Sequence, residues 1–179
     1  MKGAVLACSI PLLLIVWNYQ KQQTKQEPAC GGKAVPVSTV EYGSLKRTGR
    51  RTPFLNAGPA KPARLVFRER GEFEKFWEDL TRLHSYKAPA PEVDFSREML
   101  IVAAMGSRPS SGYEIIVESA CEVDNQLEVL VRSTDYSRCG LQLGIVIQPL
   151  DMGRLPRSDL PVVFKEVEII SDCKELKLP

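Results

Sequence analysis

Apolar residues recur along this chain at two periods, and each period marks a different kind of element. Between residues 72 and 84, Phe73, Phe76, Trp77, Leu80 and Leu83 fall at i, i+3, i+4, i+7 and i+10. That spacing puts them on one stripe of an amphipathic helix. Charged residues occupy the other faces, with Glu72 and Glu74 suiting the positive end of the helix dipole and Arg82 its negative end. Pro89 and Pro91 stop helical continuation.

Elsewhere the pattern is that of strands. Residues 37–42 and 64–68 are short candidates, and 99–105 is a continuous apolar run of the length expected of a strand buried on both faces. Residues 113–123 and 126–133 are separated by Asp124-Asn125, a good two-residue hairpin turn. In residues 140–148, Leu141, Leu143, Ile145 and Ile147 alternate cleanly. A last strand is expected over 162–170, with a bulge at Lys165-Glu166 where the inward parity switches. The expected fold is a β-dominated α+β domain: an antiparallel sheet or two-layer β-sandwich-like arrangement with one packed amphipathic helix.

The N-terminus follows a different logic. Lys2 precedes an uncharged run over residues 3–17, followed by a polar Lys- and Gln-rich stretch. About fifteen residues at 1.5 Å each reach about 22 Å, short of the roughly 30 Å hydrocarbon core of a bilayer. Residues 1–17 therefore read as a signal peptide or an N-terminal membrane anchor. A polar linker is expected over 18–36, the folded domain over 37–171, and a tail over 172–179.

Composition adds one globular core, at 44% hydrophobic and 26% charged residues, with a formal net charge of only +2. Basic residues concentrate between 44 and 70, where Lys46, Arg47, Arg50 and Arg51 form a candidate basic surface. Phe54 and Phe67 are the only aromatics there, so a stacking platform for nucleic acid is lacking and none is expected as a partner. An exported chain meets an oxidising compartment, which makes Cys30, Cys121, Cys139 and Cys173 candidate disulfide cysteines in any of three connectivities. No Cys-x-x-Cys occurs and His84 is the single histidine, so neither a metal nor another cofactor is expected.

Several of these segments together resemble the PrcB C-terminal domain family, named for an accessory subunit of a bacterial cell-envelope protease complex. The likeness is carried by Phe-Glu-Lys-Phe-Trp at 73–77 and Pro-Glu-Val-Asp-Phe-Ser-Arg-Glu-Met at 91–99. It continues through Ile101-Val102, Met105-Gly106, Arg-Pro-Ser-Ser-Gly-Tyr at 108–113 and Pro-Val-Val-Phe-Lys at 161–165. It covers roughly residues 40–167. Two departures are Ser111-Gly112, where the family usually has two glycines, and the lack of Pro-Gly pairs in 134–139. The resemblance implies a β-dominated, exported, non-enzymatic domain whose partner is another protein, such as a protease, with membrane attachment if the N-terminal segment is uncleaved.

Candidate chemistry can be weighed against that reading. Ser110 or Ser111 with His84 as base, or Cys139 with His84, would be the raw material of a hydrolase, but no Gly-x-Ser-x-Gly elbow accompanies them. A small-ligand or membrane-surface binding β domain is a further alternative. The candidate partner-binding residues are Arg108, Pro109, Ser110, Ser111, Gly112 and Tyr113. Their pentapeptide Pro-Ser-Ser-Gly-Tyr resembles the Pro-Thr-Thr-Gly-Tyr-like loop of chagasin-like cysteine-protease inhibitors. The competing reading is a tight turn at Gly112 with Tyr113 packed at the sheet edge.

Overall fold

The computed structural model describes residues 31–40, 58–82 and 89–173. Its strands in chain order are β1 (Lys33–Val35), β2 (Ser38–Thr39), β3 (Pro62–Phe67), β4 (Glu98–Met105), β5 (Tyr113–Val123), β6 (Gln126–Asp135), β7 (Leu150–Pro156) and β8 (Val162–Ile170). Helix α1 (Arg70–Thr81) lies between β3 and β4. The strands form two four-stranded sheets, one ordered β1-β5-β6-β8 and the other β2-β7-β4-β3. All pairings are antiparallel except β6 with β8, which is parallel. The fold is thus the expected β-dominated α+β sandwich with one helix.

Strand β4 is the centre of the molecule because its apolar run serves two interfaces. Leu100, Val102 and Ala104 face α1, where they meet Phe73, Trp77, Phe95 and Met152. Met99, Ile101, Ala103 and Met105 face the second sheet, where they meet Ile115, Val117, Leu127, Val129 and Val131. Three layers result, and each fully buried large side chain contributes about 1.5–3 kcal/mol. The helix stripe supplies Phe73 and Trp77 as its buried positions, while Phe76 and Leu80 pack at the margin. Asp124 and Asn125 take φ of 45° and 61°, the pair of positive values a tight two-residue hairpin requires, and β5 and β6 pair on either side of them.

Three expectations are corrected. Residues 140–148 form no strand. They lie in the connection between β6 and β7, bridged at Ile147 to Arg108 of the connection between β4 and β5. The strand in that part of the chain is β7, paired with β4 and β2. The bulge is in β5, between Val117 and Ser119, whereas β8 keeps an unbroken register with β6. The expected linker also ends early, since Lys33–Val35 pairs with β5 as β1.

β7 carries Asp151 and Gly153 where a strand pattern calls for apolar residues, and both have a packing reason. The Val117 N–H, beside the bulge, donates to the buried Asp151 carboxylate at 2.8 Å. A Cβ on Gly153 would lie 2.9 Å from Cγ1 of Val117 and 3.0 Å from Cγ1 of Val37. Both neighbours are β-branched and stiff at χ1, so neither turns aside cheaply. Gly153→Ala is expected to destabilise by about 1–3 kcal/mol through overpacking. The urea midpoint measures this, and an unchanged midpoint would mean the sheets part more easily there than the contacts imply.

Candidate functional site

Two connections meet at one end of the sandwich, residues 106–112 between β4 and β5 and residues 136–149 between β6 and β7. Reciprocal backbone bonds join them, with the Arg108 N–H donating to the Ile147 carbonyl at 2.8 Å and the Ile147 N–H to the Arg108 carbonyl at 2.9 Å. Farther out, the Ser111 N–H donates to the Leu143 carbonyl at 3.0 Å, and the Leu143 N–H to Ser111 Oγ at 3.0 Å. The Gln142 side-chain amide donates to the Cys139 carbonyl at 2.6 Å. The two loops therefore form one rim whose backbone polar groups are largely satisfied internally.

Besides Ser107 and Arg138, the rim exposes a run of large apolar side chains. Leu141 is 98% exposed, Leu143 61%, Ile145 46% and Val146 67%. Only Ile147 of this alternating run is buried. Isolated exposed aliphatic residues are ordinary, whereas four within six residues on one loop concentrate apolar surface where a partner can cover it.

The six candidate binding residues are all in this rim or at its base. Pro109 is exposed, Ser110 and Ser111 are half-buried, and Ser110 Oγ accepts the Gly112 N–H at 3.4 Å. Gly112 is buried because the Ser137 backbone passes close by, and an added Cβ would lie 2.8 Å from Ser137 Cα. Tyr113 is half-buried and packs against the inter-sheet core, with the Arg108 guanidinium 5.6 Å from its ring centroid. Across the hairpin from Tyr113, hydrogen bonds from Ser137 hold the Asp135 carboxyl below the usual carboxylate range, helped by the charges of Arg138 and Arg108.

The base of the second loop is tied covalently. Cys139 and Cys173 form a disulfide joining the residues after β6 to those after β8. Cys121 in β5 is also disulfide-bonded. Cys30, Lys46, Arg47, Arg50, Arg51 and His84 lie outside the described residues, as does the N-terminal segment 1–17. With Cys139 oxidised, its thiolate is not there to act as a nucleophile.

A cleft lined by Val37, Arg97, Glu98, Arg154 and Leu155 lies away from this rim. Its polar groups are largely engaged with one another: Arg154 donates to the Glu92 carbonyl at 2.8 Å and sits 3.6 Å from the Glu98 carboxylate. Among the described residues no group of His, Cys, Asp and Glu is placed to hold a metal ion.

Sequence reasoning located the first loop and misassigned the second. The alternation of Leu141, Leu143 and Ile145 matches a half-buried strand, yet all three side chains are exposed. Gly140, with φ of 67°, and Gly144 were the available signals against a strand. No family model matches the chain, and no characterised protein or solved structure matches it.

Proposed function

We propose that this chain is an exported, envelope-tethered domain without catalysis of its own, which binds another protein through the rim of residues 108–112 and 141–146. The observation that carries this reading is the exposure of Leu141, Leu143, Ile145 and Val146 on a loop held in place by hydrogen bonds to the Arg108 and Ser111 segment. A fixed apolar loop binds with little ordering cost, which a floppy one would incur. The partner proposed is a cell-envelope protease, which the domain assembles with or inhibits. That choice rests on the motif resemblance to the PrcB C-terminal domain family. Export is supported by the Cys139–Cys173 disulfide, a bond that persists in oxidising compartments.

A photocrosslinking residue placed at position 143 of the full chain, in its own envelope, is expected to trap a discrete protein. The same probe at Glu78, on the exposed face of α1, is expected to trap none. Leu143→Asp should weaken capture about tenfold or more, since covering a leucine contributes about 1.5–3 kcal/mol. Its effect on folding stability should stay within about 0.5 kcal/mol, as for other surface changes. A probe at position 143 that yields no protein adduct would overturn the reading.

A further inference from the structure

Every other half-buried arginine among the described residues donates to at least one acceptor, Arg154 included, although its Nε also lacks one. Arg64 grips Glu166 with two bonds of 2.6 and 2.7 Å and donates to the Ala104 carbonyl. Arg68 donates to the carbonyls of Ser158 and Leu160, and Arg132 to Glu118 and Thr134. Arg108 is the exception. Its side chain makes no hydrogen bond or ion pair among the described residues, and its Nε is shielded from solvent without an acceptor. Leaving such a donor unmade is unfavourable unless something recovers it.

The guanidinium is nevertheless fixed. The Arg108 backbone is clamped by both bonds to Ile147, and the Tyr113 ring lies beneath the charge. Asp135 feels that charge but forms no ion pair with it, and the Ser137 N–H occupies its Oδ1 at 2.7 Å. Only Nε is shielded, so the two terminal nitrogens keep access to solvent. This is a preorganised fork that fits a carboxylate, on the same rim of two joined loops that exposes Leu143 and Ile145.

From this geometry, and resting on the protein-binding reading above, we infer that the partner's segment carries an aspartate or glutamate flanked by apolar residues. The carboxylate pairs with Arg108 while the apolar neighbours cover Leu143 and Ile145. An anionic bilayer fits less well, because clusters of about four or more Lys/Arg serve that purpose and the two rim loops carry only Arg108 and Arg138.

The test is selection of a random peptide library on the full chain, followed by anisotropy titration of the selected peptides. Enriched peptides are expected to carry an acidic residue between apolar ones. Arg108→Gln should weaken them about 10–100-fold, Arg108→Lys less, and the Asp→Asn or Glu→Gln peptide should bind the wild type and Arg108→Gln alike. Enriched peptides that lack an acid, or that lose affinity equally with and without it in Arg108→Gln, would overturn the inference. If those peptides are still lost with Leu143→Asp, the protein-binding rim stands without its acidic preference. Failure to select any peptide, with sedimentation on phosphatidylglycerol vesicles instead, would overturn both.

Discussion

Phe73→Ala is expected to cost about 3–5 kcal/mol, a large share of the roughly 5–15 kcal/mol by which domains of this kind are stable. Phe73 is 1% exposed and stands at the middle of an aromatic cluster, with ring centroids 5.6 Å from Phe67, 6.0 Å from Phe95 and 6.1 Å from Trp77. Removing the ring deletes both the buried area and the contacts of those neighbours, and the resulting cavity lies between α1 and β4, where strand and helix limit collapse. Phe73→Leu, which preserves much of the volume, should cost under about 1.5 kcal/mol. Urea unfolding followed by tryptophan fluorescence reads both, because Trp77 lies in the same cluster. A loss below about 1 kcal/mol for the alanine variant would show that α1 is not docked on the sheet as described.

The second large effect is removal of the Cys139–Cys173 disulfide. The two cysteines are 34 residues apart, and chain-entropy reasoning gives about 3–4 kcal/mol for closing a loop of that length. A Cys139→Ala/Cys173→Ala pair should lower the unfolding midpoint accordingly, and dithiothreitol, which also reduces the disulfide of Cys121, should lower that of the wild type at least as far. Amides of residues 168–170 should exchange faster, because the end of β8 would be held chiefly by its parallel ladder and by the Ser171 N–H bond to the Asp135 carbonyl at 2.9 Å. Stability unaltered by reductant would show that β8 is docked without the link.

Elements whose pattern is local were legible in the sequence. The helix stripe predicted 72–84 and the structure has Arg70–Thr81; the apolar run predicted 99–105 and the structure has Glu98–Met105. The Asp124-Asn125 turn fixed the register of β5 and β6 for the same local reason. β7 was not legible because Asp151 and Gly153 answer to residues distant in sequence, Val117 and Val37. The parallel pairing of β6 with β8 likewise depends on what the intervening chain does, not on either strand's own residues. At the rim, the turn at Gly112 could be read directly. The exposure of Leu141, Leu143 and Ile145 could not, since alternation records which side chains share a face and says nothing of whether that face is covered.

The parallel ladder between β6 and β8 also bears on how the chain reaches this state. Leu127 pairs with Val162 and Asp135 with Ile170, so the sheet stays incomplete until residue 170 has emerged. β1 is equally dependent on distance, pairing Lys33 with Glu122. Such long-range pairings give a high contact order, and folding on the millisecond-to-second scale follows from the loop entropy that must be lost first. A chain that crosses a membrane unfolded would complete this sheet only after arrival, and only then would Cys139 and Cys173 be held side by side.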